Sequence, residues 1–448
     1  MIKAHGHNFP FRFHLRDERG DTFHLLYDNH SSKLIREDTG ERIVPPAEEQ
    51  RNWNSAYRVS PETPGRKTND TNVLKIQLGL GCNYTCSYCL QSSQIQDAVK
   101  TGTRDAEIFL KNIENHNWFG DDVSRIEFWG GEPMLYWHKV RILLPELKKR
   151  WPKASFSTIT NGSMFNEQII QDMEDYDFSF AVSHDGPGHK QTRGPDPLDE
   201  PERAEWLKRA VEIFGSKGKM SCNAVLTSSN YDCNAIIDWF EEHLPGVIVG
   251  FEGIGYDYHG DASTRWTVEK LEDMRNKLAS GLMDGSLHRS PGLVDYMYRF
   301  AETLAFGRPS KALGQRCGMD RAEHISVDLL GNIMTCQNTG SMGKHRLGHM
   351  MSLEKATLDT SWHWSKREEC SSCPVLQMCA GGCMYLDMDS DNWKASCNTE
   401  FYYRTAILTA ALFHMTGGEL AYIEGEMLRP ELPEFIETSK GEEVFSSP

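Results

Sequence analysis

A short run of three cysteines constrains this chain more than any other part of its sequence. Cys82, Cys86 and Cys89 follow the spacing C-x3-C-x2-C, so that one loop offers three thiolates. Thiolates hold iron–sulfur clusters, and structural 4Fe–4S clusters are normally closed by four of them. Three thiolates would leave one iron open, and an open position on a metal is a place for a substrate or cofactor. From the spacing alone, a zinc site or a group of buried thiols stays open as an alternative.

Strand and helix patterns alternate from residue 72 to about residue 258, which predicts a parallel sheet. The cysteine loop directly follows the first predicted strand, and ligands of parallel sheets bind beyond the carboxyl ends of the strands. The predicted strands are Val73–Leu78, Arg125–Trp129, Ser155–Ile159, Phe178–Ser183, Lys219–Leu226 and Val247–Ile254. The predicted helices are Asp105–Glu114, Trp137–Arg150, Asn166–Met173, Glu202–Phe214 and Asn234–His243.

Small polar motifs follow the second, third and fourth predicted strands. They are Gly130-Gly131-Glu132-Pro133, Thr160-Asn161-Gly162 and Ser183-His184-Asp185-Gly186-Pro187. Taken singly, each is also a common turn sequence, and for Asn161 this alternative stays open. Arg193, a little further on, is a candidate for binding a carboxylate, with an ordinary surface arginine as its alternative.

The cysteine loop and these motifs together resemble the radical S-adenosylmethionine (radical SAM) superfamily. The resemblance implies an α/β fold built on a partial (β/α)6 TIM-like barrel, in which the three cysteines hold a 4Fe–4S cluster and SAM chelates its open iron. It also implies that reductive cleavage of SAM yields a 5'-deoxyadenosyl radical, which takes hydrogen from the substrate. The residues that the resemblance places against SAM are Tyr88, Gly130, Gly131, Glu132, Pro133, Asn161 and Ser183.

Seven further cysteines with regular spacing lie in the C-terminal part of the chain, from residue 317 to residue 397. A zinc ribbon would use two C-x2-C pairs, whereas this segment contains one. The spacing resembles the SPASM domain of radical SAM enzymes that mature peptides and sulfatases. The resemblance implies two auxiliary 4Fe–4S clusters, one held by Cys370, Cys373, Cys379 and Cys397 and the other by Cys317, Cys336 and Cys383.

Two positions depart from the pattern of the sulfatase maturases. Residues 318–324 lack a fourth cysteine, so the second auxiliary cluster has either an open iron, which we predict, or a ligand from Asp320, Glu323 or His324. The residue after Cys336 is Gln337, where those enzymes carry an aspartate base. Because an amide cannot take up a proton as a carboxylate does, formylglycine formation is disfavoured. Asp320, Glu323, His324 and Gln337 are the candidate catalytic positions.

Charge and composition restrict the partners and the location of the protein. A net charge of −16 argues against nucleic acid, whose nonspecific binding needs a basic surface. The sequence has no apolar run of about 18 residues and no apolar signal core near Met1, so we expect no membrane span and a cytoplasmic location. Twelve cysteines in such a protein are expected to bind metal rather than to form disulfides.

We expect five segments along the chain. Residues 1–72 form an N-terminal β-rich extension with strands near Phe11–Leu15, Phe23–Tyr27 and Lys33–Arg36. This extension is a candidate for binding a leader peptide, and a packed sheet without a binding role is the alternative. Residues 73–265 are the radical SAM core, residues 266–316 a helical bridge, residues 317–400 a loop-like SPASM domain, and residues 401–448 a C-terminal helix and tail.

The resemblance implies a radical SAM/SPASM maturase that acts on a ribosomally made precursor peptide. It would remove hydrogen from a peptide residue and form a C–C or thioether crosslink, with a flavodoxin or ferredoxin as reductant. Epimerisation, backbone excision and formylglycine formation on a sulfatase stay open as alternatives on the same scaffold. A non-catalytic iron–sulfur electron carrier is a further alternative, which the full set of SAM motifs disfavours.

Overall fold

The computed structural model describes residues 1–49, 51–254, 265–388 and 390–430. Its strands are, in chain order, β1 (Ile2–Ala4), β2 (His7–Phe9), β3 (Phe11–Arg16), β4 (Thr22–Asp28), β5 (Lys33–Arg36), β6 (Gly65–Arg66), β7 (Val73–Gln77), β8 (Arg125–Trp129), β9 (Ser155–Thr160), β10 (Ser179–Ser183), β11 (Met220–Leu226), β12 (Ile248–Ile254), β13 (His324–Asp328), β14 (Asn332–Met334), β15 (Arg346–His349), β16 (Thr357–Leu358) and β17 (Glu419–Glu424).

Several helices begin where a polar side chain caps them. Asn166, Asp232 and Thr267 each accept a hydrogen bond from a backbone N–H in the first turn of the helix that follows them. In chain order the helices are α1 (Thr103–His116), α2 (Trp137–Arg150), α3 (Glu167–Asp175), α4 (His189–Thr192), α5 (Pro201–Ala210), α6 (Cys233–His243), α7 (Val268–Met283), α8 (Pro291–Ala305), α9 (Glu368–Ser371), α10 (Leu376–Cys379) and α11 (Asp391–Thr416).

A nine-stranded sheet forms the centre of the molecule, in the order β12-β11-β10-β9-β8-β7-β13-β14-β15. Neighbouring strands from β7 to β12 are parallel and follow the order of the chain, with helices in the connections. This is the arrangement that the alternation of strand and helix patterns predicts. The carboxyl ends of these six strands therefore meet at one edge, where the predicted motifs lie.

The central strands separate an apolar face from a polar one by simple alternation. On β7, Leu74 and Ile76 are fully buried in the hydrophobic core. Lys75 and Gln77 point to the opposite face, where Lys75 Nζ lies 3.0 Å from Oε2 of Glu127 on β8. Successive side chains of a strand point to opposite sides of the sheet, so the same strands build both the core and a polar barrel interior.

The cysteine-rich C-terminal segment is less loop-like than its composition suggests. β13 pairs in parallel with β7, from His324 opposite Val73 to Asp328 opposite Gln77. β14 and β15 continue the sheet in antiparallel fashion. The loop-like expectation for this segment is therefore wrong for these strands. β13 depends on β7, which lies far earlier in the chain, so the pairing leaves no local sequence signal at β13.

A separate four-stranded sheet, in the order β17-β3-β4-β5, is built from the two ends of the described chain. The predicted pairing of β3 with β4 and the extension by β5 are both present. The prediction does not include β17, which pairs antiparallel with β3. The preceding helix α11 is buried along most of its length and brings the chain back to this sheet.

Among the helices of the described ranges, none combines the length and the hydropathy that a membrane span requires. The predicted tail beyond residue 430 and the part of the predicted core at residues 255–264 lie outside the described residues.

Candidate functional site

The cysteine loop that follows β7 borders a broad cleft at the carboxyl ends of the parallel strands. Cys82, Cys86 and Cys89 all line this cleft, which encloses about 1570 Å³ of empty space, part of it open to solvent. Burial raises the pKa of the Cys86 thiol to about 12 and also raises that of Cys82. Iron binds thiolates, so assembly of a cluster here would release these protons. The three thiols share one cleft that also has room for a nucleotide-sized ligand.

A network of polar side chains anchors the cysteine loop to the end of β9. Asn161 donates from Nδ2 to Oδ1 of Asn83 at 2.8 Å, and Asn83 donates to the Oγ of Ser163 at 2.9 Å. Ser163 in turn donates to Oδ1 of Asn161 at 2.6 Å. Because Asn83 stands directly after Cys82, this network fixes the position of the loop. The amide of Asn161 thus supports the cysteines as well as bordering the cleft.

The Gly-Gly-Glu motif after β8 lies directly against the cysteine loop. Gly131 donates its N–H to the carbonyl of Gly79 at 3.0 Å, and a Cβ atom at Gly131 would overlap the carbonyl oxygens of Leu80 and Gly81. Glu132 is buried, and its carboxylate accepts hydrogen bonds from three donors. These are the N–H of Met134 at 2.9 Å, Oγ1 of Thr160 at 2.6 Å and the N–H of Asn161 at 2.7 Å. Only glycine permits this close approach of two backbone segments.

Asp185 organises a buried cluster behind the cleft. It accepts hydrogen bonds from the hydroxyls of Tyr88 and Thr192 and from the N–H of Val225. Arg193 Nε lies 3.1 Å from its Oδ1 atom, and the Arg193 guanidinium lies 5.2 Å from the centre of the Tyr88 ring. Burial acts to raise the pKa of Asp185, but Arg193 and Tyr88 outweigh it and hold that pKa below its usual value. Arg193 is therefore a buried residue of the cleft wall rather than a surface arginine.

Most of the residues predicted to contact SAM border this one cleft. Pro133 lies at the start of a short 3-10 turn and does not border it. The predicted residues that do line the cleft are Tyr88, Gly130, Gly131, Glu132, Asn161 and Ser183.

Four cysteines of the C-terminal segment, the outer set, line a single cavity with about 440 Å³ of empty space, part of it open to solvent. The outer set consists of Cys370 on α9, Cys373, Cys379 at the end of α10 and Cys397 on α11. The rest of the wall is largely apolar, with Leu376, Trp393 and Phe401 among its side chains. Burial raises the pKa of Cys373 to about 12. The grouping is the one that the sequence pattern predicts, and four converging thiols fit a cluster closed by four cysteines.

The remaining cysteines of the C-terminal segment, the inner set, are Cys317, Cys336 and Cys383. Burial raises the pKa of Cys336, and the neighbouring Cys383 and Cys317 raise it further. Burial likewise raises the pKa of Cys383 to about 11, with Cys317 again contributing. Cys317 thus lies close enough to Cys336 and Cys383 to affect both thiols, and Cys383 also affects Cys336.

The loop of Cys336 and the cleft of the first cysteine loop share a wall. Gln77 donates from Nε2 to the carbonyls of Gln337 and Thr339, at 3.0 and 2.9 Å. Gln91, in the turn after Cys89, donates to Oδ1 of Asn338 at 3.3 Å. Asn338 itself lines the cleft and stands two residues after Cys336. The end of β7, the first cysteine loop and the loop of Cys336 are therefore held as one unit.

The candidate catalytic residues near the inner set differ in their surroundings. Asp320 is buried and accepts the N–H of Gln315 at 3.0 Å through Oδ2. Within the described ranges, Asp320 Oδ1, His324 Nδ1 and Gln337 Oε1 are buried without a hydrogen-bond partner. Glu323 is half-buried, and its carbonyl accepts the N–H of Val73 at 3.2 Å. Asp320 and His324 thus each present one side-chain atom without a hydrogen-bond partner among the described residues. The contact of Glu323 is made by its backbone carbonyl, which accepts the N–H at the start of β7.

Lys67, which no sequence pattern singles out, holds the loop after Cys317. Its buried Nζ donates to the carbonyls of Met319, Arg321 and His324 at 2.7, 2.9 and 2.8 Å. Burial lowers the pKa of Lys67 to about 8. A lysine in a polar, proline-containing stretch usually lies at the surface, so only the fold reveals this role. Asn83, Gln91 and Asn338 were also missed, although each lies within two residues of a predicted cysteine ligand.

The described part of the chain holds no group of three or more His, Cys, Asp or Glu residues arranged for a single metal ion. Residues 76–226, which contain the first cysteine loop and the cleft motifs, match the family model of the radical SAM superfamily. The chain therefore contains a radical SAM domain. A radical SAM domain works with a 4Fe–4S cluster and SAM, and the shared cleft of three thiols and a glycine-rich strand end fits both.

Two curated proteins are similar in sequence to this chain. The radical SAM cyclopropyl synthase TigE of Paramaledivibacter caminithermalis is 20% identical over 326 residues, which cover 68% of this chain and 66% of that protein. An uncharacterized protein of Methanocaldococcus jannaschii is 22% identical over 180 residues, which cover 39% and 58% of the two chains. The chain thus spans less than two thirds of the length of each relative.

Solved structures of anSMEcpe share the fold of this chain. The structure with bound AdoMet superposes with a TM-score of 0.54 at 20% identity and covers 75% of this chain and 99% of that one. The structure that also contains the peptide Cp18Cys gives the same values. The predicted α/β fold with a parallel radical SAM barrel is thereby confirmed.

Proposed function

We propose that this radical SAM enzyme matures a ribosomally made peptide by forming a C–C or thioether crosslink between side chains. The observation that carries the proposal is the shared wall between the cleft of the first cysteine loop and the loop of Cys336. In this wall, Asn338 lines the cleft, and Cys336, two residues before it, is a member of the inner set. A substrate in the cleft would therefore lie beside a second metal centre.

The relatives support a peptide substrate and a bond-forming reaction. TigE is named a cyclopropyl synthase, and closure of a cyclopropyl ring forms a C–C bond. anSMEcpe binds a peptide in its solved complex. Gln337 offers an amide at the position where a base would serve formylglycine formation, so the crosslinking reaction is favoured over sulfatase maturation.

Cys82, Cys86 and Cys89 would hold the cluster that binds SAM, and the inner and outer sets would hold two auxiliary clusters. When bound, the first cluster and SAM supply the radical that removes hydrogen from a carbon of the substrate. Glu132, Tyr88 and Ser183 line the space in which SAM would lie. The inner set would keep an open iron, with Asp320 and His324 as the competing ligands.

The protein would take its electron from a flavodoxin or ferredoxin in the reducing cytoplasm. The N-terminal extension, residues 1–72, is the proposed leader-binding segment. Its sheet is completed by β17, so a deletion within residues 1–36 would expose β17 as well as remove β3 to β5.

Mass spectrometry of the product tests the proposed reaction. The anaerobically reconstituted enzyme is incubated with SAM, dithionite and a peptide encoded beside its gene. A crosslink lowers the peptide mass by two hydrogen atoms, because one C–H and one further X–H bond are lost. An unchanged peptide mass together with an inverted stereocentre would replace the proposal by epimerisation. Reaction of a sulfatase peptide alone would replace it by formylglycine formation.

A further inference from the structure

Arg429 lies directly against the outer cysteine set. It lines the cavity of that set, and its Nη1 atom donates a hydrogen bond to the Sγ of Cys397 at 3.6 Å. Its Nη2 atom donates to the carbonyl of Cys397 and to Oδ1 of Asn398, both at 3.1 Å. The ring of Phe401 covers the guanidinium at 4.1 Å. The charge of Arg429 is thus fixed beside a thiol.

Arg367 approaches the same cavity from the side of the inner set. It is 2% exposed and donates to the carbonyls of Leu386 at 2.8 Å and of Cys383 at 3.4 Å. Its guanidinium lies 4.6 Å from the ring of Trp393, which lines the cavity of the outer set. Burial lowers the pKa of Arg367, and the thiols of Cys370 and Cys383 oppose this effect.

The two arginines differ from their neighbours in lacking a carboxylate partner. Across the cavity, Glu400 pairs with Arg404 at 2.9 Å and with Arg316 at 3.4 Å. Neither Arg367 nor Arg429 forms an ion pair with Asp or Glu in the parts of the chain that the structure describes. A cation removed from water without an anion is strongly disfavoured, so the buried guanidinium of Arg367 and the half-buried one of Arg429 fit a negatively charged group inside the cavity. Four thiolates around an iron–sulfide core supply such a charge.

We infer that Arg367 and Arg429 raise the reduction potential of the auxiliary cluster held by the outer set, which makes it the acceptor of the product electron. The inference rests on the proposed function. Forming a crosslink after the loss of one hydrogen atom leaves one electron and one proton to be removed. The outer centre would take up the electron, and the proton would go to solvent. Reduction adds negative charge there, which nearby positive charge and N–H···S bonds stabilise.

Redox titration followed by EPR tests the inference in the full-length protein. Arg429 is the residue to vary, since Arg367 also supports the loop of Cys383. A Cys82→Ala/Cys86→Ala/Cys89→Ala background removes the signal of the SAM cluster and leaves the auxiliary clusters. Arg429→Gln removes the charge and Arg429→Lys keeps it. Arg209→Gln is the matched control, because Arg209 is an exposed residue of α5 that pairs with Glu212 far from the cavity.

We expect one auxiliary midpoint potential to move to more negative values in Arg429→Gln, with a smaller change in Arg429→Lys and none in Arg209→Gln. Equal midpoints in all four proteins would overturn the inference. If Arg429→Gln binds no iron at the outer set, the midpoint potential of that centre is measured in Asn398→Ala, which removes one hydrogen-bond partner of the guanidinium. The inference then requires a more negative midpoint potential, and an unchanged one would overturn the inference. Absence of two auxiliary clusters from the parent protein would instead contradict the proposed function.

Discussion

At the scale of single residues, the cleft requires that position 131 carry no side chain, because two backbone segments meet there. Gly131→Ala would push the backbone of the strand end away from Leu80 and Gly81, because the new methyl group meets two carbonyl oxygens. Misplacing a reacting group by about 1 Å costs about a hundredfold in rate. We therefore expect 5'-deoxyadenosine release to fall about a hundredfold, measured by chromatography on reconstituted protein.

Gly292→Ala is the matched control for this substitution. Gly292 lies at the start of α8, and a Cβ atom there meets nothing within 4 Å. It should leave the release rate unchanged. Wild-type rates in Gly131→Ala would show that the strand end and the cysteine loop do not need this close approach.

His189 provides a test of pH dependence. Both of its ring nitrogens are buried without a hydrogen-bond partner among the described residues. Burial lowers its pKa, and the neighbouring His184 lowers it further. The unfolded chain therefore binds a proton at a pH where the folded chain does not, and stability falls as the pH drops below the unfolded value of about 6.5.

We expect His189→Phe to remove part of this loss of stability, because phenylalanine cannot be protonated. Urea unfolding of the cluster-free proteins at pH 7.5 and pH 5.5 measures it. The decrease in unfolding free energy between the two pH values should be smaller in the variant than in the wild type. Equal decreases would show that His189 is not a source of the pH dependence.

At the scale of secondary structure elements, β17 ties the C-terminal part of the chain to the N-terminal sheet. Ile423 of β17 is 2% exposed and stands opposite Phe13 of β3. Truncating a buried isoleucine to alanine costs about 3 kcal/mol. We expect Ile423→Ala to lower the unfolding free energy by about that amount in chemical denaturation. Tyr422→Ala, at the adjacent exposed position, is the control and should cost about 1 kcal/mol or less.

The sequence predicted some elements well and others not at all, for physical reasons. β8 and α2 have their predicted bounds, because a short strand of alternating pattern and a helix with an apolar stripe carry their signal locally. β13 and β17 were missed, because each depends on a partner far away in the chain. Pairing of this kind is decided by the assembled sheet rather than by local preference.

At the scale of the whole molecule, cysteine spacing predicted the grouping of side chains that the fold then brings together. The outer set comes from three different helices and the segment between them, yet its members line one cavity. The residues that surround the cysteines were less predictable. Lys67 and Arg429 lie in segments whose sequence is typical of a linker and of a tail. In such a segment, the local sequence does not distinguish a basic residue at the surface from one beside a buried site.

The cleft that joins the three thiols of the first loop to the glycine-rich strand end is central to this account. The most direct test is EPR of the anaerobically reconstituted, reduced protein before and after SAM is added, together with the release of 5'-deoxyadenosine. We expect SAM to change the spectrum of one cluster and 5'-deoxyadenosine to form, and Cys86→Ala to abolish both. A spectrum that SAM leaves unchanged, or undiminished release from Cys86→Ala, would contradict the account.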